Sequence, residues 1–176
     1  MPSVKTALIV VDYQRDFVDG ALGFPGAELL EAPIIDRIAR ELACGGEVIF
    51  TLDTHSDDYM QTAEGRKLPV PHCIRGSDGH RVTQGLVPYL DRAVLVLEKP
   101  TFGSLTLGSF LRDCGYARVE LCGLVSSICV LSNAVIAKAA LPEAEIIVDS
   151  ALTAAPDPAA HEAAMTVLRG IQIEVR

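Results

Sequence analysis

The stretch TALIVVD, Thr6 to Asp12, decides the fold: an aliphatic run, β-branched at four of its first six positions and closed by an acid. A strand with one wet face alternates apolar and polar residues. A continuous run is buried on both faces, as in a parallel sheet. Five further runs resemble it: EVIFTL (47–52), AVLVL (93–97), ARVEL (117–121), EIIV (145–148) and IQIEV (171–175). Helical patterns lie between them. Residues 28–43 put Leu30, Ile34, Ile35, Ile38 and Leu42 on one stripe and stop at Gly45–Gly46. Residues 104–113, 126–140 and 159–169 also read as helices. Strand alternating with helix predicts an α/β fold, a three-layer α/β/α sandwich around a six-stranded, mostly parallel sheet. One domain over residues 1–176 is expected, without repeats or low-complexity linkers.

Composition narrows the partners. The chain is 49% hydrophobic with a net charge of −8, and its mean hydropathy is +0.31. Such apolarity suits a sheet covered on both faces, or surface buried in a homo-oligomer. Negative charge argues against nucleic acid and anionic membrane, which need a basic face. The absence of Trp argues against a base-stacking platform. Five cysteines, odd in number and without CxxC spacing, suit reduced thiols in the cytoplasm. The first residues carry too short an apolar run for a secretory leader, and polar residues interrupt the long apolar region around Cys129.

In open parallel sheets, ligands bind beyond the carboxyl ends of the strands. The first predicted strand ends at Asp12, the second at Asp53, the third at Glu98–Lys99, and the fourth runs into Gly123 with Cys129 shortly after. One acid after a strand is usually a turn residue; four reactive groups at successive strand ends point to a site. Asp12, Lys99 and Cys129 together suit nucleophilic catalysis. The sulfur attacks, Asp12 takes and returns a proton, and Lys99 with a helix start offsets the carboxylate's pull on the thiol. Residues 53–91 form a connection far beyond the ordinary 12–15 or so and hold three of the four histidines. Asp53, His55, Glu64 and His72 have the donor types of a divalent-metal shell, with Asp57 and Asp58 competing for the place of Glu64. His80 and His161 read as surface residues, Cys73 and the other cysteines as packing, and Asp149 as a turn residue.

The segments VDYQRDF (11–17), LDTH (52–55), LPVPHCIRGSDG (68–79), EKPTFGS (98–104) and GLVSSICV (123–130) resemble, in order, those of the isochorismatase-like cysteine hydrolases, and among these the metal-bearing, nicotinamidase-like branch. The resemblance implies a triad of Asp12, Lys99 and Cys129. It also implies an oxyanion hole from the Val125 and Cys129 amides beside a cis peptide at Leu124–Val125, and a strand order of 3-2-1-4-5-6. It implies one divalent ion on Asp53, His55, Glu64 and His72, zinc first, with manganese or iron as alternatives. Phe17, Phe102 and Leu68 stand where the substrate ring is lined. The chain departs in having Leu68-Pro69-Val70-Pro71 where a Trp is common before the second metal-site histidine.

The expected activity is amide hydrolysis through a thioester, nicotinamide plus water giving nicotinate and ammonia. Competing readings keep the triad but change the substrate to another small amide, ureido or carbamoyl compound, make a metal-bound water the nucleophile, or reduce the chain to a binding domain with Cys129 only packing.

Overall fold

The computed structural model describes residues 4–176. Its elements run β1 (Thr6–Val11), α1 (Arg15–Val18), α2 (Glu31–Ala43), β2 (Glu47–Asp53), α3 (Val87–Leu90), β3 (Leu95–Lys99), α4 (Leu105–Cys114), β4 (Arg118–Leu124), α5 (Leu131–Ala140), β5 (Glu145–Ala154), α6 (Pro158–Gly170) and β6 (Glu174–Val175). All neighbouring strands are parallel, and the sheet order is β3-β2-β1-β4-β5-β6. The α/β class is as the alternating pattern predicts, and the order is the one the family resemblance implies.

The unbroken run of β1 has the predicted cause. Leu8 to Val11 are wholly buried at the centre of the sheet. Ala7, Ile9 and Val11 pack with Leu107, Ala134 and Leu168 of α4, α5 and α6. Leu8 and Val10 point to the other layer, against Ile34 and Ile38 of α2. A side chain removed from either core costs about 2–5 kcal/mol, so this run anchors both halves of the sandwich.

Several boundaries differ from the sequence reading. The helix expected over 28–43 opens with a 3₁₀ turn at Ala27–Leu30. On α2, Leu42 packs partly buried against the core as expected, and Glu41 is buried as well, where Arg37 pairs with it at 2.8 Å and with Glu120 at 2.7 Å. β3 starts two residues late and ends on Lys99. β5 continues past a register shift to Ala154. β6 is only two residues long, since Ile173 folds back onto the end of α6 through its N–H to Leu168 O at 3.0 Å. The helix expected over 126–140 begins as a π turn, Ser126–Val130, in which the Val130 N–H reaches Val125 O at 3.2 Å. That wider turn carries Cys129.

Candidate active site

Sheet register brings the triad together. Val11 lies opposite Thr51 on one side and Gly123 on the other, so Asp12 emerges between β2 and the end of β4. Asp53 and Lys99 are register partners. β3 lies two strands from β1, about 10 Å away, and Lys99 spans the gap with its four-carbon stem. Its ammonium stands 2.6 Å from Asp12 Oδ2, 3.4 Å from Asp53 Oδ1 and 3.8 Å from Cys129 Sγ, and donates to Thr101 O at 2.9 Å.

Local backbone forms the rest of the rim. Asp12 sits in the left-handed region at φ 46°, which short acidic side chains tolerate better than most. Gly123 has φ 105°, and a Cβ there would fall 2.1 Å from Val11 O, so no other residue fits between β1 and β4 at that point. The Leu124–Val125 peptide is cis, as the resemblance implies. Val125 and Cys129 face one cavity, which is also lined by Phe17, Leu68 and Phe102.

Burial governs the electrostatics. Asp12, Lys99 and Cys129 are 0%, 1% and 5% exposed. Burial and the Asp12 carboxylate push the Cys129 thiol well above its usual value, and Lys99 opposes them without cancelling them. Burial likewise raises Asp12 against the pull of Lys99. Burial disfavours the Lys99 ammonium, yet Asp12, Cys129 and Asp53 outweigh it and keep the group charged. The expectation that Lys99 and a helix start would neutralise the carboxylate's effect is therefore only partly met: the sulfur rests as a thiol. Thr51 Oγ1 donates to Asp12 Oδ1 at 2.7 Å. Asp12 Oδ2 lies 2.6 Å from the Lys99 ammonium, and a carboxylate oxygen so paired keeps a second lone pair for a thiol proton.

The second cluster lies beside the first. Asp53 Oδ2 is 3.0 Å from His55 Nε2 and 3.4 Å from His72 Nε2, and Glu64 Oε1 is 3.8 Å and 3.6 Å from the same two nitrogens. Four donors arranged tetrahedrally at about 2.1 Å from one ion stand about 3.4 Å apart, so these four fit a single divalent cation. His72 Nδ1 is bonded to Val70 O at 2.8 Å, which directs Nε2 inward. Burial disfavours ionised Asp53, but hydrogen bonds from His55 and His72 and the charge of Lys99 outweigh it and hold the carboxyl well below its usual range. Asp57 and Asp58 are exposed and outside the cluster.

Some residues fall elsewhere than predicted. His80 is not a surface residue: its Nε2 contacts Thr54 Oγ1 at 2.8 Å, and its carbonyl accepts from Gln14 Nε2 at 2.8 Å. His161 is half-buried, 3.0 Å from the Oγ of the wholly buried Ser126. Both are retained by polar partners distant in the chain. Glu98 turns outward to pair with Arg75. Cys73 and Cys122 are buried, and all five cysteines are free. Sequence reasoning missed Thr51 and Gln14. Gln14 clamps the Asp53 backbone, with Nε2 donating to its carbonyl at 2.9 Å and Oε1 accepting from its N–H at 2.7 Å. Their signal was a polar residue within each buried motif.

The cavity at Cys129 has a volume of about 430 Å³ and mostly apolar walls, with Asp53, Glu64 and His72 at one side. A larger depression of about 790 Å³, bordered by Arg15 and His80, shares none of its lining with it. Among the described residues, no helix is long and apolar enough to cross a membrane.

A profile of the isochorismatase domain matches residues 6–176. The chain belongs to the isochorismatase family. It is 29% identical over 146 residues to the nicotinamidase/pyrazinamidase of Mycobacterium tuberculosis, covering 73% of this chain and 76% of that one. The crystal structure of the nicotinamidase/pyrazinamidase PncA from Bacillus subtilis matches with a TM-score of 0.86 at 32% identity, covering 97% of this chain and 98% of the other. The N-carbamoylsarcosine amidase of Thermoplasma acidophilum matches with a TM-score of 0.79 at 29% identity, over 98% and 95% of the two chains.

Proposed function

We propose that this protein is a cysteine amidohydrolase that converts nicotinamide and water to nicotinate and ammonia through a thioester on Cys129. The observation that carries the proposal is the buried contact chain from Asp12 through Lys99 to the Cys129 sulfur, at 2.6 Å and 3.8 Å, opening on an apolar cavity. Asp12 Oδ2 takes the thiol proton as sulfur bonds to the carboxamide carbon and the carbonyl electron pair moves to oxygen. The Val125 and Cys129 amides receive that oxyanion. As the carbonyl re-forms, the C–N bond breaks and Asp12 gives its proton to the departing nitrogen, releasing ammonia. Water then adds to the thioester while Asp12 accepts its proton. The C–S bond breaks, the acid leaves, and the proton returns to sulfur. Lys99 stays protonated throughout and keeps the Asp12 carboxylate ionised between transfers.

Phe17, Phe102 and Leu68 hold the ring. Asp53, His55, Glu64 and His72 would hold one divalent ion, zinc first and manganese or iron as alternatives, which supplies a Lewis-acid anchor for the ring nitrogen and for water. The same reading makes residues 1–176 one catalytic domain of a cytoplasmic homo-oligomer; the free cysteines and the apolar composition support it.

Purified enzyme should release ammonia from nicotinamide, and Cys129→Ala should lower that release at least about a thousandfold. Unchanged release in the mutant would end the covalent mechanism and favour an attacking water. The N-carbamoylsarcosine amidase likeness favours a second substrate class on the same triad. A panel of aromatic amides and carbamoyl compounds at matched concentration separates the two.

A further inference from the structure

Asn133 has no part in the chemistry just described, yet it is fully buried and lies on α5, four residues beyond Cys129. Its Nδ2 donates to Cys129 O at 2.9 Å and to Phe102 O at 3.0 Å, while its Oδ1 accepts from Ser104 N at 3.1 Å. Only this orientation of the amide satisfies all three partners; turned over, it would set oxygen against two carbonyls and an NH₂ against an N–H. The neighbouring buried positions on α5, Ala134 and Ala137, are apolar, and helix packing alone asks for nothing else at 133. An amide there is tolerable only because its hydrogen bonds are made.

What those bonds join is the important part. Cys129 belongs to the turn after β4, whereas Phe102 and Ser104 belong to the loop between β3 and α4. The other end of that loop is held by Lys99, whose ammonium donates to Thr101 O at 2.9 Å. Lys99, Thr101, Phe102, Asn133 and Cys129 thus form a closed circuit, spanned by the 3.8 Å approach of nitrogen to sulfur. Ser104 Oγ also caps α4 by accepting from Leu107 N at 3.2 Å, so the circuit extends into the helix packed on α5.

We propose that Asn133 is a positioning residue that sets the Phe102 wall and the Lys99 ammonium relative to the Cys129 sulfur, and thereby how an aromatic amide is presented to the thiol. The proposal rests on Cys129 as nucleophile. Its test uses Asn133→Ala, Asn133→Thr, Phe102→Ala and the Asn133→Ala/Phe102→Ala double variant in the full chain. A threonine hydroxyl can still bond the carbonyl one turn back, but it cannot span to Phe102 and Ser104.

Two readouts are needed. Alkylation of Cys129 by iodoacetamide, followed by mass spectrometry, requires no substrate; its rate should differ from wild type by about threefold or more in both Asn133 variants, since small misplacements at a reacting atom change rates steeply. With nicotinamide, Asn133→Ala should raise KM about threefold and lower kcat about tenfold, and the rise in KM should vanish in the Phe102→Ala background because both changes act on one wall. Alkylation and KM within twofold of wild type in whichever Asn133 variant folds would overturn the proposal, whatever happens to Tm. A wild-type enzyme inert towards nicotinamide would sink the substrate reading alone, and the alkylation ratio would still decide the role of Asn133.

Discussion

Asp12 and Lys99 stand on strand ends, and Cys129 lies one turn beyond another, whereas three of the four candidate metal ligands come from the long irregular segment after β2. The triad is held by sheet register: to move Asp12 away from Lys99 would require breaking the parallel ladder. The cradle is held by scattered bonds. The His55 N–H donates to Cys73 O at 3.0 Å, and the Cys73 N–H donates to Asp16 Oδ2 at 2.7 Å. The Glu64 side chain is 16% exposed, against 0% for Asp12. One half of the site is therefore built by sheet register, and the other by hydrogen bonds within the segment after β2.

The sharpest way to break that comparison is at the buried ion pair. Asp12→Asn should abolish turnover by at least about a thousandfold, as loss of the proton carrier demands. It also leaves the buried Lys99 ammonium with Asp53, at 3.4 Å, as its one carboxylate, a loss of about 3 kcal/mol that should lower Tm by about 10 °C in a chain of this size. A melting curve unchanged by the substitution would mean that the pair does not anchor the sheet edge. On the other half, stripping the protein with a chelator should cost activity that zinc restores, with a smaller loss of Tm. Glu64→Gln should weaken metal retention about tenfold, read by elemental analysis after dialysis. Retention equal to wild type would remove Glu64 from the cradle.

The titration of the triad gives a finer test. The thiol of Cys129 is raised above its usual value, so below that point its thiolate fraction grows about tenfold per pH unit. Alkylation of Cys129 should therefore keep climbing from pH 7 to 9 without a plateau. Asp12, also raised, should lose its base function as pH falls through a value above the ordinary carboxylate range, so activity drops on the acid side earlier than for an exposed acid. The smallest effect is expected at the wall: Phe102→Ala, at a residue 42% exposed, should raise KM a few-fold, about 1 kcal/mol of ring contact, with kcat little changed.

Much of this was legible beforehand because it lies in runs. TALIVV, short, unbroken and rich in β-branched residues, reads as a two-face-buried strand, and an acid at its end emerges at the carboxyl rim. The candidate metal donors were legible as a chemical set, although nothing in the spacing of Glu64 distinguished it from Asp57 and Asp58; in the folded loop Glu64 joins Asp53, His55 and His72, and the two aspartates stay exposed. His80 and His161 were misread because their partners, Thr54 and Ser126, are remote in the chain and leave no local periodic signal. Gln14 and Asn133 were passed over for the same reason: a buried amide looks like any polar residue until the backbone groups it joins are known.

Residue order alone settles the strands, the alternation that makes a sandwich, and the kinds of reactive group at the rim, since periodicity and residue type are local properties. Distances are not local. Lys99 reaching across β2 to Asp12, the raised thiol of Cys129, and the circuit closed by Asn133 exist only once register and burial place distant residues in one dry volume, where charges no longer screened by water reset one another's protonation.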